Sequence, residues 1–242
     1  MPPRQMVLFP FAGGSSHAFT PLVPLLRGLD PMLVDYPGHH LRSGEPLLNT
    51  VPDLAGESLY RIGCALRPGY VVLGASLGAL VAFEFSRQAS AIGRRPSALV
   101  VLSAAAPNRI ASVGRFAHLA DDEFSTALRE RYPGQVSALA TDPEVREFVL
   151  PVLRADIEAF EDYGDRAPGT VDVPMLVLGG LQDRSVRYAD LLAWTAHSTR
   201  PVVVRRLDGG HFLISDSVTE VAGDLLTWFK DLDLLPECSG ST

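Results

Sequence analysis

Six short apolar runs are spaced along the 242 residues of this chain, and they limit what it can fold into more than any other feature. They are "MVLF" (6–9), "PMLVDY" (31–36), "YVVLG" (70–74), "ALVVLSA" (98–104), "PMLVLGG" (174–180) and "PVVVRRL" (201–207). Nearly every residue in them is apolar, the pattern of strands buried on both faces rather than one. Helical patterns fall between most of them, near 54–66 and 77–92. The last helix is the clearest, with Val218, Val221, Ala222, Leu225, Leu226 and Phe229 at helical spacing. Ser217, with Glu220 three residues on, forms a capping-box pattern at its start. Strands alternating with helices build right-handed βαβ units, so an α/β fold with a mainly parallel sheet flanked by helices is expected.

One stretch breaks the rhythm. Residues 109–170 hold no convincing strand and read as helices: "DDEFSTALRERY", "DPEVREFVL" and "PVLRADIEAFEDY", with Pro151 expected to start or kink one of them. A helical insertion after a strand's carboxyl end lies above the sheet, where α/β sites form. It reads as a lid, with a plain packing layer as the alternative. The chain length fits one domain, 1–242, containing this insertion. The tail "ECSGST" reads as a frayed end.

Composition narrows the function. The chain is 47% hydrophobic and 20% charged, with a net charge of -7 and a pI of about 5.3. An acidic balance argues against a nucleic-acid footprint. Two cysteines, Cys64 and Cys238, make neither a disulfide framework nor a Cys-based metal site. The N-terminal "MPPRQMVLFPF" lacks the charged and apolar regions of a signal peptide, and no apolar run reaches membrane-spanning length. A cytoplasmic protein, without membrane or nucleic-acid partners, is the expectation.

The run "YVVL" leads into "GASLG", and a helical pattern leads out. G-x-S-x-G in strand–turn–helix context is the nucleophile elbow, in which Ser76 is thrust clear of the sheet at a helix N-terminus. Gly74 and Gly78 fit a turn where side chains would meet backbone. A serine hydroxyl needs a base, and chain order selects it from six histidines. In α/β hydrolases the order is Ser, acid, His. His211 in "LDGGHFLISD" lies after the last strand and before the last helix, where the base loop belongs. His197 reads as closing a helix end. His17, His39, His40 and His118 read as solvated or packing residues. The orienting carboxylate is expected at Asp183, just beyond the strand "PMLVLGG". Asp208 competes, but it would have to curl back within the base loop itself. Two backbone N–H groups would complete an oxyanion hole: Leu77, after the serine, and Phe11, the first donor after Pro10 in "FPFAGGSSHAF".

With these parts in order, the chain resembles the type II thioesterases, stand-alone editing enzymes of polyketide and nonribosomal peptide assembly lines. "LFPFAGGSSHAFTPL" is similar to the family's oxyanion segment and "YPGHHLRSGEP" to its loop after the second strand. "GASLGALVAFEFSR" is similar to its elbow and "LPVLRADIEAFEDY" to its lid. "LGGLQDRSV" and "GGHFLI" are similar to its acid and base loops. The family usually has His before the serine, where this chain has Ala75, and "PGRE" where this chain has "PGHH". The resemblance implies an α/β-hydrolase fold with a helical lid, and a Ser76–Asp183–His211 triad. It also implies hydrolysis of acyl groups from the phosphopantetheine arm of an acyl or peptidyl carrier protein. A thioester has little resonance stabilisation and a good leaving group, so the triad and two N–H donors suffice and no metal or cofactor is expected; a monomer is expected. The lid stripe containing Leu153, Ile157 and Phe160 is expected to meet the acyl chain in part. The alternatives are a serine esterase, a product-releasing or cyclising thioesterase and, more distantly, a non-catalytic binding protein on a hydrolase scaffold.

Overall fold

The computed structural model describes residues 3–132, 143–164 and 169–235. Residues 133–142 and 165–168 of the expected insertion lie outside the described residues, as does the tail with Cys238. The six apolar runs all contribute strands: β1 (Arg4–Phe9), β2 (Leu29–Leu33), β3 (Val71–Ala75), β4 (Ala98–Leu102), β5 (Met175–Gly180) and β6 (Val202–Leu207). They form one sheet in the order β2-β1-β3-β4-β5-β6, and every neighbouring pair is parallel. The helices α1 (Val51–Ile62), α2 (Leu77–Ala91), α3 (Asp121–Arg131) and α4 (Pro143–Tyr163) come before β5. After it come α5 (Tyr188–Leu192), α6 (Leu213–Asp216) and α7 (Val218–Asp231).

Both faces of the sheet are covered, which is why its strands read as continuous apolar runs. Val7 and Phe9 of β1 join the core containing Leu54 of α1 and Leu80 and Phe83 of α2. Met6 and Leu8, pointing the other way, join Leu225 and Phe229 of α7. All of these residues are completely buried. Each large side chain so buried contributes roughly 1.5–3 kcal/mol. A third, smaller core sits in the helical segment between β4 and β5, where Phe116, Phe124, Leu128, Leu150 and Ile157 pack together. The Arg154 guanidinium lies 4.3 Å from the centre of the Phe124 ring. No described helix is long and apolar enough to cross a membrane.

Four local expectations are corrected. The second strand is Leu29–Leu33, not 31–36. Pro31 sits inside it, opposite Met6. Because β2 is an edge strand, a proline there sacrifices no ladder bond. The helix expected near 54–66 begins at Val51, where the Thr50 hydroxyl accepts the Asp53 N–H and Pro52 occupies the first turn. The capping box at Ser217 does not form: its hydroxyl donates instead to the Asp208 carbonyl in the loop after β6. Pro151 lies within α4 and does not start it.

The order of strands decides where a site can form. From β1 the chain moves outward to β2, then crosses back to β3 on the other side of β1. The carboxyl ends of β1 and β3 therefore flank the switch point of the sheet, where loops diverge and leave a crevice. At that point the backbones of the two segments nearly touch. A Cβ on Gly78 would lie 2.2 Å from the Phe9 carbonyl oxygen and 2.4 Å from that of Pro10. Gly78→Ala must push rigid backbone apart, so it should cost about 1–3 kcal/mol or more in urea-unfolding stability. A variant as stable as the wild type would show that the two segments do not need this contact.

Candidate active site

Ser76 follows β3 directly and stands at the N-cap of α2 with φ 52° and ψ -117°. Such a backbone costs a non-glycine residue about 1–3 kcal/mol and persists only where the surroundings over-determine it. Here they do. The Ser76 N–H donates to the Leu102 carbonyl of β4 at 2.8 Å. A Cβ on Gly74 would lie 2.0 Å from the Gly78 carbonyl oxygen, so the turn closes on itself without room for a side chain.

The loops after β5 and β6 meet beside it in the same way. A Cβ on Gly180 would lie 2.1 Å from the Gly210 carbonyl oxygen. Gln182 staples the two loops: its N–H donates to the Gly209 carbonyl at 2.9 Å and its side-chain oxygen accepts the Gly209 N–H at 2.6 Å. Its side-chain nitrogen donates to the Asp208 carboxylate at 2.8 Å. Asp208, the competing acid, is thus exposed and tied to Gln182. Asp183 instead faces the imidazole: His211 Nδ1 lies 2.8 Å from its Oδ2, and His211 Nε2 lies 3.0 Å from Ser76 Oγ. The structure therefore brings Ser76, His211 and Asp183 into one hydrogen-bonded row. A carboxylate only accepts, so Nδ1 carries the proton and Nε2 is left facing the hydroxyl.

Ser185 joins this row and was not anticipated from the sequence. Its hydroxyl donates to Asp183 Oδ1 at 2.7 Å and lies 2.9 Å from His211 Nδ1. Oδ1 also accepts the N–H groups of Ser185 and Val186, at 2.8 and 3.2 Å. The signal was the D-x-S spacing of an Asx-type turn, which is common in loops that have no chemistry. Burial pushes the Asp183 carboxyl up. The hydrogen bond and charge of His211, with the two Ser185 donors, outweigh that and hold it below the usual carboxylate range.

The row opens on a cavity of about 140 Å³ with mostly apolar walls. Phe11, Ala12 and Gly13 form one side, Leu77 the floor beside Ser76, and Phe212 and Tyr132 the His211 side. Leu128 of α3 and Val149, Leu153, Ile157 and Phe160 of α4 close it from above. Ile157 and Phe160 also belong to cores, so lining the cavity and packing the interior are not exclusive here. The Tyr132 ring lies 5.0 Å from the His211 ring, and burial raises its phenol above the ordinary value, which keeps it neutral. Leu77 is the first residue of α2, so its N–H has no acceptor within the helix. The Phe11 carbonyl accepts the Gly14 N–H at 2.8 Å, closing a tight turn over the crevice.

The other histidines lie away from Ser76 Oγ. His17 and His40 meet edge to face with ring centres 4.4 Å apart, and His40 Nδ1 reaches Asp35 at 3.3 Å. His118 is exposed. His197 does not close its helix by a cap. It is buried against Phe83 and Trp194 and lies 3.2 Å from the Gly169 carbonyl. His39 is buried rather than solvated, 3.0 Å from Asp156 of α4. The loop carrying "PGHH" is braced by Arg42, whose guanidinium bonds Glu45 at 2.5 Å and Glu57 at 2.6 Å. Cys64 is exposed and unpaired.

An α/β-hydrolase fold with Ser, Asp and His converging on an apolar cavity defines a hydrolase class. Comparison with known proteins narrows it. The thioesterase-domain family profile matches residues 4–229. The thioesterase PikA5 of Streptomyces venezuelae is 32% identical over 224 residues, covering 91% of this chain and 79% of that protein. Among solved structures, the thioesterase RedJ from the prodiginine pathway of Streptomyces coelicolor superposes with a TM-score of 0.84. It is 28% identical, covering 93% of this chain and 85% of that one. YbtT, the type II thioesterase of the yersiniabactin pathway, gives 0.82 at 26% identity, covering 97% of this chain and 95% of its own. The chain belongs to the thioesterase family, and its likeness within that family is to the type II enzymes of polyketide and nonribosomal peptide pathways.

A carboxyl held below its unfolded value contributes stability that is fully present above that value, about 3.9, and is lost as pH falls through the lower native one. The stability advantage of the wild type over Asp183→Asn should therefore shrink as pH is lowered from 5 to 3. Urea melts of both proteins across that range check this; a gap that widens on acidification would contradict the depressed carboxyl.

Proposed function

We propose that this thioesterase hydrolyses acyl groups from the phosphopantetheine arm of an acyl or peptidyl carrier protein, with Ser76 as nucleophile, His211 as base and Asp183 as orienting acid. The observation that carries this reading is the continuous row from Asp183 Oδ2 through His211 to Ser76 Oγ, with contacts of 2.8 and 3.0 Å, at the foot of an apolar cavity. In the first half of the reaction the Ser76 hydroxyl proton passes to His211 Nε2 as Oγ attacks the thioester carbon. The carbonyl oxygen becomes an oxyanion facing the N–H groups of Phe11 and Leu77. Collapse breaks the C–S bond, and the departing thiolate takes the proton from His211 to leave as the free thiol. Water then gives a proton to His211 and attacks the Ser76 ester, and the second collapse releases the acid and restores the serine hydroxyl. Asp183 fixes the imidazole tautomer and stabilises its charged form in both halves. The apolar walls suit an acyl chain, and the names of the related polyketide and nonribosomal peptide thioesterases support the carrier-bound thioester as substrate. All groups of the row come from one chain, so the reading needs no second copy. The helices α3 and α4 act as the lid over the cavity.

Ser76→Ala should lower hydrolysis of an acyl-N-acetylcysteamine thioester by about 10³-fold or more with the fold intact. Asp183→Asn should lose about 10³–10⁴-fold, because an amide cannot hold the same tautomer. Asp208→Asn, at an exposed position, should change the rate by only about twofold. Near-wild-type turnover by the Ser76 variant removes it from the reaction, and a more damaged Asp208 variant reassigns the acid.

The lid makes a separate prediction. Truncating Leu153, Ile157 and Phe160 to Ala should shift the preferred acyl length in at least one variant, raising KM more than it lowers kcat. A wall residue touches the chain in both ground and transition states. An acyl-length series on the three variants, with melting curves alongside, checks this. If every stable variant keeps the wild-type profile, the α4 stripe does not bind the acyl chain.

A further inference from the structure

Asp156 is a completely buried carboxylate on α4, outside the row that holds Ser76. Its Oδ2 accepts the Gly13 N–H at 2.7 Å and faces His39 Nε2 at 3.0 Å. Its Oδ1 takes no hydrogen bond from the described residues. The other ring nitrogen of His39 lies 3.0 Å from the Pro37 carbonyl oxygen. A carbonyl and a carboxylate only accept, so both ring nitrogens must carry protons for both bonds to exist, and His39 is then a cation. Burial alone would lower its pKa. The hydrogen bond and charge of Asp156, with the Pro37 carbonyl and Asp35, outweigh that and raise it.

A buried ion pair of this kind is a poor way to gain stability, since apolar residues of the same volume often do as well or better. What the pair does hold is position. Gly13 belongs to the turn after β1, two residues beyond Phe11, and its φ of 68° is one that glycine adopts freely. The same turn is fixed on its other side, where the Tyr36 hydroxyl donates to the Pro10 carbonyl at 3.2 Å. Phe11 thus hangs between two buried anchors, one on its preceding carbonyl and one on the Gly13 N–H. We propose that the His39–Asp156 pair is a positioning device for the oxyanion hole: from α4, Asp156 grips the Gly13 N–H and sets the direction of the Phe11 N–H, and His39 holds Asp156 in place and cancels its charge. The cancellation matters because an uncompensated carboxylate beside this turn would repel the developing oxyanion.

The proposal rests on the reading of Ser76 as nucleophile and of Phe11 as a donor, and the test separates the two. The first variant is the apolar pair His39→Met/Asp156→Leu, which removes the grip without leaving a lone buried charge. Its melting temperature should stay near that of the wild type. Its kcat on an acyl-N-acetylcysteamine thioester should fall about 10-fold or more, toward the 10²–10³-fold of a lost oxyanion donor, with KM within about twofold. Affinity for an alkyl trifluoromethyl ketone, which Ser76 converts to a hemiketal oxyanion, should fall by a similar factor to kcat/KM. Asp156→Asn, with its amide oxygen in the place of Oδ2, can still accept both the Gly13 N–H and an Nε2–H from a neutral His39, so it should keep kcat within about threefold of the wild type. If the apolar pair does not fold, Asp156→Ser, too short to reach Gly13, takes its place in the same measurements. Wild-type kcat and inhibitor affinity in the variant lacking the grip, or a loss confined to KM, overturns the proposal. Ser76→Ala runs in parallel: if it is inactive while the apolar pair is fully active, only the positioning inference fails. If Ser76→Ala turns over normally, the nucleophile reading fails first.

Discussion

The site depends on backbone meeting backbone at two places, each made possible by a glycine. Gly78 lets the start of α2 lie against the carbonyls of Phe9 and Pro10, where a Cβ would approach to 2.2 and 2.4 Å. Gly180 lets the end of β5 lie against the turn at Gly209 and Gly210, where a Cβ would approach to 2.4 and 2.1 Å. The first contact joins the serine turn to the Phe11 turn. The second joins the Asp183 loop to the His211 loop. Ser76, Phe11, Asp183 and His211 are thus carried by two joined pairs of segments rather than by four independent loops. That is the condition for holding reacting groups to within a few tenths of an ångström. The strained backbone of Ser76 is the cost of the first contact, and the surrounding sheet absorbs it because the Ser76 N–H is itself bonded to β4.

Charge is confined to where it has an opposite within reach. The Asp183 side chain is 1% exposed and is matched by His211; that of Asp156 is fully buried and is matched by His39. His211 opens on the cavity lined by Phe11, Leu77, Phe212 and residues of α4, and the Gly13 held by Asp156 lines it too. In so apolar a space a hydrogen bond aimed at a developing charge is worth more than in water, and an unmatched charge costs more. The two His–Asp pairs differ in what their imidazoles face. His211 leaves Nε2 toward a hydroxyl, which can give up its proton. His39 has both nitrogens against pure acceptors, so it has no lone pair to offer a substrate. On the proposed reading the same residue types serve as proton carrier in one place and fixed cation in the other, and only the partner atoms distinguish them.

The sheet was legible in the sequence because burial on both faces leaves an apolar run that needs no partner to be recognised. The serine turn was legible because glycine at 74 and 78 marks the close approach directly. The row from Ser76 to His211 spans 135 positions, and chain order in the α/β-hydrolase pattern was what pointed to it. Where the decisive partner is distant and no pattern names it, the sequence was silent. His39 and Asp156 are 117 positions apart, and each alone looks like a surface residue of a loop and of a helix. Ser217 misled for the opposite reason. Its local pattern fits a cap, but its hydroxyl is taken by the Asp208 carbonyl, a tertiary contact that outcompetes the helix end. Pro31 misled by suggesting a strand start, when an edge strand can carry proline within it.

The helix α4 is where these threads meet, and its two halves are built differently. From Leu153 to Tyr163 it is tied to the body. Asp156 bonds the Gly13 N–H, Ala159 and Phe160 enter the main core, and the Tyr163 hydroxyl bonds Glu84 of α2 at 2.8 Å. Before Pro151 it is much looser: Phe148 is 78% exposed and Glu147 is also exposed. Pro151 has no N–H, so the helical bond to the Glu147 carbonyl is missing at the junction. A lid that swung α4 as one rigid rod would have to break the Tyr163 bond, empty Phe160 from the core and release Gly13. The last of these would undo the turn that carries Phe11 at the moment substrate enters. On the lid reading proposed above, opening that keeps these contacts would leave residues 153–163 in place and move the segment before Pro151 with α3, at the cost of the small core that α3 shares with Leu150 and Ile157. Of the residues that close the cavity from above, Ile157 and Phe160 thus lie on the tied half of α4, whereas Val149 lies on the half before Pro151 and Leu128 on α3.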